Sequence, residues 1–177
     1  MGKKIVSVLV LAGMLSVQEG WAGSEGVGNV LTVAIPMAAL GVSALDHDLT
    51  GGYQLLTSLG TTAVATYGLN VAIDKKTPDG EDGAFPSGHS AISFAGATYL
   101  QRRYGWHYGL PAYGAAALVG WCRIDSDRHD LTDVLGGAAL GTGLAFLLTD
   151  RKEEVSVAPL LDSQGSVAGV QVSTPWQ

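Results

Sequence analysis

Phe85-Pro86-Ser87-Gly88-His89-Ser90-Ala91-Ile92-Ser93-Phe94-Ala95-Gly96-Ala97 is the stretch on which the reading of this chain turns. A serine directly before an apolar run is a helix-start residue, because its hydroxyl can accept a hydrogen bond from the otherwise unpartnered first-turn N–H groups. The spacing therefore predicts a helix over Ser87–Arg103. The first N–H groups of such a helix point back into the preceding loop and, with the aligned peptide dipoles, favour an anion there by about 0.3–1 kcal/mol. Gly88 lets an anion approach the backbone closely, and His89 falls in the first turn beside it.

Working outward, the same apolar periodicity predicts four further helices, at Val27–Leu45, Gly52–Ile73, Tyr108–Ile124 and His129–Leu148. Polar segments separate them: Asp46-His47-Asp48, then Asp74 to Pro86, then Gly105-Trp106-His107, then Asp125 to Arg128. The fold class is all-α, an up-and-down bundle of about five helices. Alternating connections place the Asp74–Pro86 and Asp125–Arg128 segments at one end. The 25 glycines, the low aromatic share of 7% and the hydrophobic share of 47% suit closely packed helices better than a β-sandwich. After Asp150 the pattern alternates at Val155–Val157 and Val170–Ser173 about the turn residues Asp162–Gly165, which predicts a short β-hairpin over part of a 151–177 tail. Residues 23–150 then form one helical domain.

Lys3 and Lys4, an apolar stretch from Ile5 to Val17, and Gly20-Trp21-Ala22 read as a secretory signal peptide over residues 1–22. Export places the protein in the cell envelope, at the inner membrane or in the periplasm. A membrane span needs about 20 apolar residues, and the first, second and fifth helices approach that length. Arg102, Arg103, Arg151 and Lys152 then collect on the side opposite the two site loops. By the preference of basic residues for the cytoplasmic side, the site faces the periplasm. The formal net charge of −6 excludes a broad nucleic-acid surface, so any anionic partner is met locally. The single cysteine, Cys122, forms no internal disulfide. Asp46-His47-Asp48 reads as a solvated turn, no distant ligand set completes a metal site, and no cofactor is expected.

A second cluster completes the chemistry: Arg123, five residues, His129, three residues, then Asp133. On the predicted helix His129 and Asp133 stand four apart on one face. The carboxylate can then fix one imidazole nitrogen and leave the other aimed at a phosphorus atom. Arg123 offers a planar, permanently charged fork to two phosphate oxygens.

Together the two clusters resemble the type 2 phosphatidic acid phosphatase family, which also contains bacterial acid phosphatases and vanadium haloperoxidases. The resemblance runs from about Val27 to Leu148. It implies a phosphatase that cleaves a phosphate ester or anhydride through a phosphohistidine, with a phosphorylated lipid or a small phosphomonoester as substrate and membrane association. It implies His129 as the nucleophile, Asp133 as its orienting partner, His89 as the acid for the leaving oxygen, and Ser87, Gly88 and Arg123 as phosphate ligands.

The family's first motif, a Lys followed by six residues and Arg-Pro, falls on Asn70 and Thr77 when aligned through Pro78, so two cations are missing. Charge-assisted bonds are worth about 1.5–3 kcal/mol each, so turnover reduced by roughly a hundred- to ten-thousandfold is an expected consequence. Lys75 and Lys76, with Asn70 and Thr77 themselves, are further candidates for the phosphate-binding set. Two alternatives follow: a weak or inactive family member that binds phosphate or lipid, and a vanadium-dependent haloperoxidase.

Overall fold

The computed structural model describes residues 23–152, 156–161 and 167–173, and the expected signal peptide over 1–22 lies outside them. Five helices follow in order: α1 Ser24–Leu45, α2 Leu49–Ala72, α3 Gly88–Tyr104, α4 Trp106–Asp125 and α5 Leu131–Leu148. Helix α3 is the axis of the bundle and packs on each of the other four, most extensively on α5 and α4. It can do so because its inward residues are small or weakly polar. Ala91, Ala95, Gly96, Ala97 and Thr98 are buried along it, and Tyr99 fills the one large site with no exposure. Ile35, Ala39, Val42, Leu55, Ala112, Ala116 and Val119 close the core from α1, α2 and α4.

The contact between α3 and α5 is set by glycine. A Cβ at Gly137 would lie 2.3 Å from the Ser87 carbonyl oxygen, and one at Gly141 would lie 2.0 Å from that of Ala91. No side chain fits at either position without moving the helices apart. Between α3 and α4 the chain turns on a single residue, Gly105, at φ +87°, where a side chain is strained. Its freedom is why α4 starts at Trp106 and not at Tyr108 as the sequence suggested.

The fifth helix also begins later than its periodicity implied. The Asp130 carboxylate accepts from the N–H of Thr132 at 2.8 Å and of Asp133 at 3.0 Å, while the Asp133 carboxylate accepts from the Asp130 N–H at 3.1 Å. This reciprocal capping box ends the helix at Asp130. His129 therefore stands outside the helix, in the chain that leads into it, and does not share a helix face with Asp133.

Among the described residues two helices, α1 and α5, are long and apolar enough to cross a membrane. Helix α2 has the length, at 24 residues, but not the composition, because threonine, serine and asparagine recur along it. Exposed apolar side chains line the outer faces: Val33, Met37 and Leu40 on α1, Val64, Tyr67 and Val71 on α2, Leu135 and Leu147 on α5. Apolar bands of this extent mark contact with a membrane or partner. Beyond the bundle, the backbones of β1 (Ser156–Leu161) and β2 (Val167–Ser173) pair antiparallel, Ser156 opposite Ser173. The turn expected at Asp162–Gly165 lies outside the described residues.

Candidate functional site

The α2–α3 loop and the α4–α5 segment meet at one end of the bundle, as alternation of the helices required. Lys75 from the first bonds to Asp130 and Asp133 of the second, and Arg128 of the second bonds to Asp79 of the first. Ser87 caps α3, with its hydroxyl 3.5 Å from the Ser90 N–H, and its own N–H donates to the Asp133 carbonyl at 2.9 Å. That last bond fastens the start of α3 to the first turn of α5. Gly88 and His89 line a cavity of about 350 Å³ with Thr32 of α1, with Ala63, Thr66, Tyr67 and Asn70 of α2, and with Ile92 of α3.

His129 is nearly buried, at 13% side-chain exposure, with Nδ1 3.7 Å from Asp133 Oδ2. That separation is an ion-pair distance and longer than a hydrogen bond. Burial holds the imidazole below its ordinary pKa, opposed by the Asp133 charge and the Ala84 carbonyl and reinforced by Arg123. The ring is therefore neutral near pH 7, the form that carries a free nitrogen lone pair. Burial and the nearby Arg123 charge lower the His89 pKa, so the second cluster acts electrostatically on the first.

Arg123 is buried at 3% exposure, far from the solvated helix-end cation its position in sequence would allow. Its Nη2 donates to the Glu25 carbonyl at 2.8 Å, and it lies so close to α1 that a Cβ at Gly28 would come within 2.9 Å of it. Arg123 Nε and His129 Nδ1 are both buried without a hydrogen-bond partner. A buried polar atom left unpaired costs about 1–3 kcal/mol, which the oxygen of a bound anion would relieve at Arg123 Nε, whereas His129 Nδ1 faces Asp133.

The further candidates divide. Asn70 lines the cavity and donates to the Pro86 carbonyl at 3.1 Å. Thr77 is used within its own turn, accepting from the Glu81 N–H at 2.8 Å and bonding to Asp79. Lys76 is exposed and pairs with Asp82 at 3.1 Å, across an isolated bridge between the same two residues. Lys75 gives its ammonium to Asp130 Oδ2 at 2.7 Å, Asp133 Oδ1 at 2.6 Å and Thr132 Oγ1 at 2.9 Å. It serves carboxylates where the sequence offered it to a phosphate.

Three residues at this end were not singled out from the sequence. Asp130 had a legible signal, the Asp-x-x-Asp spacing of a capping box. Arg128 and Glu25 had none. Arg128 pairs with Glu25 at 2.9 Å and Asp79 at 2.9 Å, tying the α2–α3 loop to the start of α1, a contact between positions about a hundred residues apart.

A family model described as the PAP2 superfamily matches residues 54–154. The lipid A 4′-phosphatase of Helicobacter pylori strain J99 is 29% identical over 147 residues, covering 76% of this chain and 74% of the relative. A lipid A 1-phosphatase of Helicobacter pylori strain 26695 is 26% identical over 134 residues, 71% of this chain and 67% of the relative. Among solved structures, a transmembrane PAP2-type phosphatidylglycerolphosphate phosphatase from Bacillus subtilis superimposes with a TM-score of 0.57. The two share 24% identity, and the match covers 82% of this chain and 83% of that one. At that identity the likeness shows the fold.

Proposed function

This chain belongs to the PAP2 superfamily, and from that premise we propose that it removes phosphate from a membrane lipid by way of a phosphohistidine at His129. It is a phosphoric ester hydrolase of the lipid phosphatase type, associated with a membrane. The observation that carries the mechanism is the near-buried, neutral His129, with Nδ1 facing the fully buried Asp133 carboxylate and Nε2 left for phosphorus.

In the proposed reaction the phosphate sits at the start of α3, on the N–H groups of Gly88 and His89, with Arg123 completing the charge. Nε2 of His129 attacks phosphorus in line. The bond from phosphorus to the leaving oxygen breaks, its electron pair stays on that oxygen, and His89 supplies the proton. Water then attacks the phosphohistidine, gives its proton to His89, and frees phosphate and His129. Catalysis of this kind depends on positioning and charge stabilisation. Asp133 holds the ring in place and stabilises its positive charge in the intermediate.

The lipid substrate is supported by the lining of the cavity. It combines Thr66, Asn70 and His89, which can bond a phosphate, with Ala63, Tyr67 and Ile92, which can meet a lipid chain, and Val64 and Val71 of α2 are exposed beside them in sequence. A lipid A phosphate or another phospholipid monoester fits that polarity, and a diphosphate anhydride is the next choice. By its basic residues, Arg103, Arg151 and Lys152, the opposite end of the bundle belongs to the cytoplasmic side, which turns the site outward.

Phosphate release from lipid A, phosphatidylglycerolphosphate and a soluble phosphomonoester, by the native protein and by His129→Ala, tests this. Release by the native protein alone, greatest from a lipid, is expected; equal release by both removes the mechanism. One observation favours a second reading, a binding protein with weak or no turnover: Asn70 and Thr77 stand where the family has cations. A large gain from near zero on Asn70→Lys with Thr77→Arg would establish it.

A further inference from the structure

Lys75 occupies one of the six unspecified positions of the first motif, yet it is bonded more closely to the proposed nucleophile's partner than His129 itself. Its ammonium lies 2.6 Å from Asp133 Oδ1 and 2.7 Å from Asp130 Oδ2. The Asp133 side chain has no exposure, and the Lys75 ammonium is the charge bonded to it. Its other oxygen accepts from the Asp130 N–H at 3.1 Å and faces His129 Nδ1. With both oxygens held, the carboxylate cannot swing. The backbone of Lys75 acts on the same ring from the other side, because its carbonyl accepts from the Ala84 N–H at 2.9 Å and the Ala84 carbonyl lies against His129.

We propose that Lys75 is a positioning residue: fixed between Asp130 and Asp133, it holds the Asp133 carboxylate aimed at His129, and it balances that carboxylate's charge so that the imidazole stays ready to attack. The proposal rests on His129 as nucleophile. The charged and titratable groups around the ring are Asp133 and Asp130 at the start of α5, Lys75 in the α2–α3 loop and Arg123 on α4. His89 on α3 and the Arg128–Glu25 pair at the start of α1 complete them. Lys75 is the one cation among them bonded to Asp133. Without it the Asp133 carboxylate faces His129 without its bonded cation, and the imidazolium is favoured. Without the charge of Asp130 the balance moves the opposite way.

The test follows the titration of His129 by NMR, assigned by comparison with His129→Ala, together with the rising limb of kcat/KM against pH. Lys75→Gln is expected to raise the His129 midpoint and the limb together by about one unit, and to lower kcat at neutral pH. Lys75→Arg keeps the charge and restores both. Asp130→Asn, which retains a good helix cap, lowers the midpoint and does not depend on Lys75→Gln folding. A His129 midpoint unchanged in Lys75→Gln, or unchanged in Asp130→Asn where Lys75→Gln does not fold, overturns the proposal whatever happens to the rate, since a purely structural lysine would alter stability and leave the titration alone. Phosphate release that survives His129→Ala overturns the nucleophile assignment, and the proposal with it; its loss there alongside an unmoved Lys75→Gln midpoint overturns the proposal alone.

Discussion

The two ends of the bundle use the same materials and finish them differently. Away from the site, Asp48 accepts from Arg103 Nε at 2.7 Å, Arg103 Nη2 at 2.8 Å, the Gly51 N–H at 2.8 Å and the Tyr104 hydroxyl at 3.0 Å. Arg103 Nη1 goes to the Asp150 and Arg151 carbonyls, and Ser43, Tyr99 and Tyr104 share their hydroxyls. Asp48 and Arg103 are thus fully met, so that end is a clasp joining α1, α2, α3 and the chain after α5. At the site end Lys75 and Arg128 are equally engaged, but Arg123 Nε and His129 Nδ1 are buried without partners. A fold that satisfies the charges of one end and leaves a guanidinium nitrogen of Arg123 unpaired at the other keeps a donor there for a ligand.

The largest effect that would sharpen this contrast is at the proposed nucleophile. His129→Ala should lower phosphate release on the order of a thousandfold or more while leaving the thermal unfolding midpoint close to native. A variant that loses stability and keeps activity would break the contrast.

Asp48→Asn should do the reverse. Leaving Arg103 buried without its partner costs about 3–5 kcal/mol, read as a lower unfolding midpoint, with kcat/KM at permissive temperature little changed. The acid dependence has a definite sign. Arg103 holds the Asp48 carboxyl below its ordinary 3.8 against the opposing effect of burial. The clasp is therefore at full strength above that pH and weakens as pH falls through the folded-state value. In Asp48→Asn that acid-induced loss should be diminished.

Gly141→Ala couples the ends. Its Cβ would meet the Ala91 carbonyl at 2.0 Å, so α5 must move away from α3, at about 1–3 kcal/mol. Because Asp133 and Ser87 are carried by those two helices, turnover should fall with stability, measured as parallel losses in unfolding midpoint and kcat. Smallest is the pH effect at the site: with His129 held below its ordinary 6.5 by burial, the rising limb of kcat/KM should lie below pH 6.5.

Much of the helical layout was legible because helix signals are local. A serine before an apolar run, a glycine between two runs and periodic alanines each act within a few residues of themselves. The misplacements have local causes as well: Asp130 intercepted the helix expected at His129, and Gly105 allowed one expected at Tyr108 to begin at Trp106. The candidate residues also came from local strings, and alternation of helices was enough to bring Gly88, His89, Arg123 and His129 to one end. What those strings could not convey was occupancy. Nothing in Lys75-Lys76-Thr77 distinguishes a lysine bound to two carboxylates from one exposed beside Asp82, or shows that the Thr77 hydroxyl bonds within its own turn.

The sequence by itself determined a helical bundle whose candidate site residues fall in two segments at the same end, since capping, periodicity and connection length act along the chain. Only the tertiary structure decided which charge meets which. It sent Lys75 to Asp133, Arg128 to Glu25, Arg103 to Asp48, and left Arg123 Nε unpartnered. Such pairings depend on separations of a few ångströms between helices distant in sequence, set here by glycines such as Gly28, Gly137 and Gly141 that admit a neighbour's backbone or side chain.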